Sequence, residues 1–278
     1  YLLNLKKNII NYRTNPIIHK RKIGGVAYNV AELISIFEKV QFYSLSISKE
    51  LRNQISNKIL INQINKGSSE RYYIALSNKK NKFLLGLANT DIYENSKYLK
   101  IPNINNKFVI FDLNFSKKFL ERAIIKLSYK NQIIVCATSV HKINKIKNVI
   151  KNINIIFLNK AELIRLTNTS DIINGIKKIL KKNMNIKIIV TNAKNNVIYA
   201  NNREIKKIKP PAIKIKNENG AGDALAGMML FLLSKGYSIN SILKNSVACG
   251  SYYASGKRLM TKKDLIKINN ISKKMIIK

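Results

Sequence analysis

The stretch KNENGAGDA, residues 216–224, places two glycines and an alanine directly before a strongly apolar segment that extends through Leu233. Small residues at the start of a helix let backbone N–H groups face a bound anion, and the helix N-terminus adds partial positive charge. Asp223 then falls in the first helical turn, where we expect it to be ionised at neutral pH and able to accept a proton from an attacking hydroxyl. The competing interpretation is a glycine turn with Asp223 as an ordinary helix-start charge. The candidate anion hole consists of Gly220, Ala221 and Gly222.

Short apolar strands alternate with helical segments upstream of this stretch. The predicted strands are 108–113, 133–137, 155–158 and 186–191, and the predicted helices lie near 117–127, 141–150, 161–166 and 172–180. Strands that are apolar on both faces need helices on both sides of their sheet. Downstream, a helix over 239–253 and a last helix capped by Thr261 complete the pattern. The sequence therefore predicts an α/β fold with a mostly parallel, covered sheet.

A β-hairpin precedes this region. Residues 71–77 alternate in polarity, residues 82–87 form a second short strand, and residues 78–81 fit the turn between them. Because the hairpin lies outside the strand-helix repeat, we interpret it as a flap. Tyr72 and Tyr73 alternate across its first strand, so that one of them either stacks on a ligand base or packs on a neighbouring strand.

The composition is strongly basic. The chain has 51 Lys and Arg against 14 Asp and Glu, a formal net charge of +37, which makes an RNA- or polyanion-binding protein one functional alternative. However, lysine is scattered along the whole chain and far outnumbers arginine, whereas phosphate and base recognition favours arginine. Lys, Asn and Ile are abundant together, which indicates compositional drift. We therefore expect only non-specific binding to nucleic acid.

The length, the apolar runs and the cysteines argue against other classes of protein, such as membrane-spanning and disulfide-rich proteins. The 278 residues suffice for one large α/β domain, and no apolar run reaches the roughly 18 residues of a membrane span. Cys136 and Cys249 lie far apart, each within an apolar segment. This predicts two buried free thiols in a reducing cytoplasm and no membrane association.

A second glycine motif lies near the N-terminus. Gly24 and Gly25 precede a helical pattern over 27–37, and Asn29 on that helix offers one donor and one acceptor suited to sugar hydroxyls. The simpler interpretation is a loop-to-helix turn with Asn29 in solvent.

A third motif follows the predicted strand 155–158. Asn159 and Glu162 are three residues apart, and a single carboxylate with waters is adequate for Mg²⁺ beside phosphates. The alternative is an ordinary helix cap, with Asn159 as the capping residue and Glu162 as an acidic residue of the first turn.

Together these segments resemble the ribokinase (PfkB) family of carbohydrate kinases. The stretch 216–224 is similar to the C-terminal signature of that family, residues 24–32 to its N-terminal Gly-Gly…Asn signature, and residues 159–162 to its Asn-x-x-Glu motif. The resemblance implies a three-layer α/β/α sandwich, residues 1–278, with a small β lid from about 1–23 and 67–90. It also implies ATP and Mg²⁺ as cofactors, a sugar or nucleoside as acceptor, and a homodimer formed through the lid.

The resemblance assigns roles residue by residue. It makes Asp223 the catalytic base, Gly220, Ala221 and Gly222 the anion hole, Gly24, Gly25 and Asn29 the acceptor site, Asn159, Thr191, Lys194 and Asn245 the ATP site, and Glu162 the magnesium site.

A finer resemblance points to one subgroup. Thr14-Asn15-Pro16, the segment 24–32 and the segment Gly67-Ser68-Ser69-Glu70-Arg71-Tyr72-Tyr73 are similar to bacterial pseudouridine kinases. This implies phosphorylation of the 5′-hydroxyl of pseudouridine. The alternative acceptors are those of ribokinase- or fructokinase-like members of the family.

Several positions depart from the family pattern. A first strand ending in a substrate-binding Asp is expected before Tyr1, and the Gly-x-Asp segment expected after the first helix is replaced by residues 44–48. Glu218 adds a negative charge beside the anion hole. The loop 191–196, which approaches ATP phosphates in the family, has no glycine, although Lys194 can compensate electrostatically. A degenerate, non-catalytic homologue is therefore a further alternative.

Overall fold

The structure is a computed structural model that describes residues 1–45, 47–64, 72–80, 83–89, 91–94, 99–216, 219–258 and 261–278. Parts of four predicted features lie outside the described residues: residues 67–71 of the lid, residues 81 and 82 of the predicted hairpin, Ser46 in the segment 44–48, and Glu218 beside the anion hole. The strands are β1 (Leu2–Leu5), β2 (Ile17–Lys20), β3 (Val40–Ser44), β4 (Ile59–Gln63), β5 (Tyr73–Ser77), β6 (Phe83–Ala88), β7 (Phe108–Asp112), β8 (Gln132–Cys136), β9 (Ile155–Asn159), β10 (Lys187–Thr191), β11 (Val197–Ala200) and β12 (Ile205–Ile208).

Several helices begin after a side chain that accepts a hydrogen bond from a backbone N–H of the first turn, namely Ser116, Asn159, Asp171, Ser238 and Thr261. The helices are α1 (Val26–Ser35), α2 (Lys49–Arg52), α3 (Asp91–Glu94), α4 (Lys117–Ser128), α5 (Lys160–Thr167), α6 (Ile172–Lys182), α7 (Ala221–Ser234), α8 (Ile239–Ala254) and α9 (Lys262–Lys273). Thr261 and Asp264 form a reciprocal capping box at α9, which confirms the predicted cap. In the described part of the chain, no helix is long and apolar enough to cross a lipid bilayer.

The main sheet has six strands in the order β12-β11-β10-β9-β8-β7. Strands β7 to β10 are parallel, and β11 and β12 extend the sheet in antiparallel pairing. Because successive side chains of a strand point to opposite faces, each strand contributes to two cores. Ile134 and Ile189 pack with α1, α7 and α8, whereas Ile133 and Ile188 pack with α4, α5 and α6. This confirms the predicted three-layer α/β/α sandwich with helices on both faces.

A second sheet contains the predicted flap. Its strand order is β2-β1-β5-β6, so the first twenty residues supply two strands beside the hairpin. Tyr72 makes an edge-to-face contact with Tyr1, with ring centroids 6.3 Å apart, and the Tyr73 ring covers the backbone at Gly86. These contacts favour the packing interpretation of both tyrosines. The action of this sheet as a lid, and the homodimer, stay predictions.

Strands β3 and β4 form a separate two-stranded parallel sheet. Helix α1 contacts β3, β4 and β7, so it lies against both this small sheet and the edge of the main sheet. β4, β12, α2 and α3 were not predicted, because their short and polar sequences carry little periodicity.

The predicted helix over 141–150 is wrong. That segment instead contains two short 3₁₀ helices, Ile143–Ile146 and Ile150–Asn152. Its buried side chains Ile143, Ile146 and Val149 recur every third residue, which matches three residues per turn and not 3.6.

Candidate active site

Two helices that are far apart in sequence meet at a glycine. A β-carbon built on Gly227 of α7 would lie 3.1 Å from Leu33 Cβ and 3.3 Å from the carbonyl oxygen of Val30, both on α1. Only a glycine permits this approach without displacement of the neighbouring helix. The contact places Asn29 beside Asp223, and Asn29 Nδ2 donates a hydrogen bond of 2.6 Å to Asp223 Oδ2. The two predicted glycine motifs therefore meet in one site.

The N-terminus of α7 has the predicted form. Gly220 is the residue before the helix, with a left-handed φ of 80°, and its carbonyl oxygen accepts a 2.9 Å hydrogen bond from Ala224 N. A β-carbon added at Gly222 would meet no atom within 4 Å, so this face of the turn is open. On the other side, a β-carbon at Gly250 of α8 would lie 2.9 Å from the carbonyl oxygen of Ala221. Helix α8 thus supports the turn from behind and leaves its front free for an anion.

The pKa of Asp223 is raised, yet it agrees with the expected ionisation at neutral pH. Burial raises the pKa of this carboxyl from 3.8 to about 6, although the hydrogen bond from Asn29 lowers it. Asp112 raises the pKa further and Arg258 lowers it, both through their charges. Loss of hydration therefore outweighs the stabilisation that the helix start and Asn29 give the anion. The carboxyl still ionises below neutral pH, with a pKa close to the working range of a general base.

The carboxyl ends of β9 and β10 carry the third motif. Asn159 Oδ1 accepts a 2.9 Å bond from Glu162 N, and Glu162 Oε2 accepts a 2.8 Å bond from Asn159 N. This reciprocal capping box agrees with the alternative interpretation of the pair as an ordinary helix cap. Thr191 lies opposite Asn159 in the β9–β10 register. The two predicted ATP-site residues Asn159 and Thr191 are therefore neighbours.

The carboxyl groups of Glu162 and Asp223 interact electrostatically. Its side chain is only 4% exposed, and burial raises the pKa of its carboxyl, with the charge of Asp223 raising it further. A nearby cation would stabilise the charged form of such a buried carboxyl. Among the described residues no cluster of three or more His, Cys, Asp or Glu side chains could hold a metal. The single buried carboxylate of Glu162 is chemically suited to an ion bound mainly by phosphates and waters, as Mg²⁺ usually is.

Among the remaining predicted residues, Gly25 joins this network through Asn29, and Lys194 and Asn245 lie apart from it. Gly25, with φ 111°, directly precedes α1, and its carbonyl oxygen accepts a 2.9 Å bond from Asn29 N. Gly24 has open space around it. Lys194 lies in an exposed turn, and Asn245 Nδ2 bonds within α8 to Ser241. No hydrogen bond or ion pair between described residues joins Lys194 or Asn245 to the other candidate site residues.

Asp112 is a site residue that the sequence analysis missed. It ends β7, and it accepts bonds from Asn114 N at 3.0 Å and from Asn114 Nδ2 at 2.6 Å. Asn114 is buried and accepts a 2.7 Å bond from Lys142 Nζ. Burial raises the pKa of the neighbouring Cys136 thiol, and the charges of Asp223 and Asp112 raise it further. The position of Asp112 at the carboxyl end of a predicted parallel strand was the available signal, because ligands of such sheets bind there.

Comparisons with known proteins identify a family and a fold for this chain. The model of the pfkB family carbohydrate kinases matches residues 52–263 of the chain, which include Asp112, Glu162 and Asp223 and begin after the N-terminal glycine motif. The search of curated protein sequences finds no match.

Solved kinase structures resemble the whole chain. A carbohydrate kinase from Agrobacterium tumefaciens is similar with a TM-score of 0.79 and 18% identity, over 100% of this chain and 95% of that one. Phosphofructokinase-2 from Escherichia coli gives a TM-score of 0.77 and 17% identity, over 98% and 95%. A nucleoside kinase from Methanocaldococcus jannaschii gives 0.75 and 18%, over 97% and 94%. At these identities the likeness establishes the fold.

Proposed function

Because the chain belongs to the pfkB family of carbohydrate kinases, and is thus a phosphotransferase with an alcohol acceptor, we propose which groups perform the transfer and which acceptor to test first. Asp223 is the general base, and the acceptor is the primary hydroxyl of a nucleoside or sugar. Pseudouridine, with pseudouridine 5′-phosphate as product, is the first candidate.

The observation that supports this proposal is the 2.6 Å hydrogen bond between Asn29 and Asp223. It joins motifs that lie 194 residues apart in the sequence. The bond occupies Asp223 Oδ2, and in the described structure no hydrogen bond engages Oδ1. An acceptor hydroxyl can therefore donate to Oδ1 while Asn29 holds the carboxylate in place. This arrangement suits a base that must be fixed before the substrate arrives.

The proposed step follows from these positions. As the acceptor oxygen attacks the γ-phosphorus of ATP, its proton passes to Asp223, a new oxygen–phosphorus bond forms, and the bond between the γ-phosphorus and the bridging oxygen breaks. The electron pair of the broken bond stays on ADP. Backbone amides at the open face of Gly222 donate to the charged oxygens of the transferred group.

ATP and Mg²⁺ are the proposed cofactors. We place the nucleotide at Asn159, Thr191, Lys194 and Asn245, of which the first two are adjacent in the sheet register. Glu162 would face the hydrated Mg²⁺, which when bound neutralises phosphate charge. The lid sheet would then exclude water from the transferred phosphoryl group.

The choice of pseudouridine depends on the three sequence segments that resemble its kinases. One residue of these segments, Asn15, has a local structural role. Its Oδ1 accepts a 2.8 Å bond from Ile10 N, and its side-chain amide donates to the Ile10 carbonyl oxygen at 2.9 Å. That side chain closes the loop between β1 and β2. The acceptor panel below tests the preference for pseudouridine directly.

The test is ATP consumption with Mg²⁺ against pseudouridine, uridine, adenosine, ribose and fructose. We expect turnover with pseudouridine well above that with uridine, which differs only in its glycosidic linkage. Preference for another acceptor would keep Asp223 as base and replace the substrate. Absence of turnover with every acceptor, in protein whose cooperative unfolding shows that it is folded, would reject the proposed activity.

A further inference from the structure

A cation lies against the proposed anion hole. Arg258 follows α8, in a segment tied to the chain before α7 by a 2.9 Å bond from Lys216 N to the carbonyl oxygen of Ala254. A β-carbon built on Gly220 would lie 3.5 Å from Arg258 Nη1. The guanidinium therefore occupies the space beside the glycine at which α7 begins.

The guanidinium is held by an aromatic ring. Its central carbon lies 4.9 Å from the centroid of the Tyr253 ring, within the distance of a cation–π contact. Tyr253 itself is buried at the end of α8, so the ring is a fixed platform. Within the described residues, no carboxylate lies within ion-pair distance of Arg258. Its charge is nevertheless close enough to Asp223 to lower the pKa of that carboxyl.

We propose that Arg258 is a second catalytic residue, whose guanidinium contacts the transferred phosphoryl group above Gly220. This inference rests on the proposed function. A planar guanidinium presents several N–H donors that match phosphate oxygens, whereas a lysine offers a point charge. Arg258 exchanges no proton: the acceptor proton still goes to Asp223 and the electron pair of the broken bond still stays on ADP. Its contribution is to balance negative charge on the phosphoryl oxygens as the group moves between the two bridging oxygens.

The neighbouring residue provides a matched control. Lys257 is exposed like Arg258 and lies over a tyrosine, with Nζ 5.5 Å from the centroid of the Tyr252 ring. It carries the same charge. However, it is absent from the surroundings of Gly220 and from the groups that shift the pKa of Asp223. Replacement of either residue removes one positive charge and one aromatic contact, and only Arg258 faces the anion hole.

The first experiment compares Arg258→Gln, Arg258→Lys and Lys257→Gln with the unchanged protein. With the best acceptor, we expect Arg258→Gln to lower kcat about 10²- to 10³-fold, as removal of one transition-state donor does in other enzymes, with little change in the KM of the acceptor. Arg258→Lys should recover part of the rate, and Lys257→Gln should retain it. Equal kcat in the two Gln variants would overturn the proposal.

A second measurement does not depend on the acceptor. The melting temperature is recorded with Mg²⁺ and ADP, and again with aluminium fluoride added, since ADP with a fluoroaluminate imitates the transferred phosphoryl group. We expect the extra stabilisation from fluoroaluminate in the unchanged protein and in Lys257→Gln, and its loss in Arg258→Gln, while stabilisation by ADP alone persists in all three. This result would support Arg258 even if no acceptor in the panel is phosphorylated. An unchanged fluoroaluminate increment in Arg258→Gln, or no increment in the unchanged protein, would overturn the proposal.

Discussion

Replacement of Asp223 by Asn should remove activity and stabilise the fold at the same time. The substitution keeps the shape of the side chain and an oxygen that can accept the bond from Asn29. It removes the proton acceptor, so we expect turnover to fall by about 10²- to 10⁴-fold. It also removes a charge that burial makes unfavourable in the folded state.

The size of the stabilisation follows from the pKa. The carboxyl has a pKa of about 6 in the folded protein against 3.8 as reference, and at about pH 8 this difference costs the folded state about 3 kcal/mol. The side chain is half-buried, so solvent screening reduces the expected gain to about 1–3 kcal/mol. Since the folded pKa lies above the unfolded value, the penalty grows as pH rises from about 3.8 to about 6 and is constant above. Near pH 4 the gain should fall below about 1 kcal/mol.

Urea unfolding of both proteins at about pH 8 and about pH 4, beside ATP turnover at the higher pH, checks this prediction. Asp171→Asn is a useful control, because hydrogen bonding to Asn174 lowers the pKa of that exposed carboxyl and its replacement should bring no gain. If the Asp223→Asn protein is inactive but no more stable at high pH, burial of the charged carboxylate does not destabilise the fold as argued. A variant that keeps near-normal turnover would refute the assignment of the base.

Three further predictions concern the surroundings of this carboxylate and the charge of the chain. Gly250→Ala should lower the free energy of unfolding by about 1–3 kcal/mol, because its β-carbon would lie 2.9 Å from a backbone oxygen. Gly222→Ala should leave stability unchanged or improve it, yet lower kcat by obstructing the open face of the anion hole; equal stability losses in the two variants would contradict this contrast. Asp112→Asn should move the acid-side midpoint of the kcat/KM profile to lower pH, since the charge of Asp112 raises the pKa of Asp223; a midpoint that stays or rises would show that the two carboxyls do not interact. RNA binding measured by fluorescence anisotropy should weaken at least 10-fold between about 50 and 200 mM salt, and sequence-preferring binding at the higher salt would instead favour a dedicated RNA-binding role.

The parts of the fold that could be predicted are those with strong local signals. The predicted strand 186–191 contains the apolar run Ile188–Val190, and the structure buries that run in β10, an inner strand of the covered main sheet. Gly236, just after the end of α7, has the left-handed φ of 72° that glycine commonly adopts after a helix. The cap at Thr261 followed from the same kind of reasoning. Each of these features depends on residues within a few positions of one another.

The misses depend on contacts that no local pattern contains. The pairing of β1 with β5 joins residues more than seventy positions apart, and Leu2–Leu5 carries no turn or alternation strong enough to reveal it. The importance of Arg258 arises only when the chain after α8 folds back on Gly220. In a sequence with 51 Lys and Arg residues, one further positive charge carries no signal that would single out Arg258.

The loop 191–196 lacks the glycine that the family pattern leads one to expect, yet it forms a turn. The absence of glycine suggested that this loop had lost the conformation that approaches a phosphate. In the structure Ala193 adopts a left-handed φ of 47°, and Asn195 N donates a 2.8 Å bond to the carbonyl oxygen of Asn192, so the turn is formed without glycine. A non-glycine residue in this region costs about 1–2 kcal/mol. The turn therefore forms despite that cost, and Gly220, Gly222 and Asp223 are present in the sequence. Both observations favour the proposed kinase over the degenerate homologue.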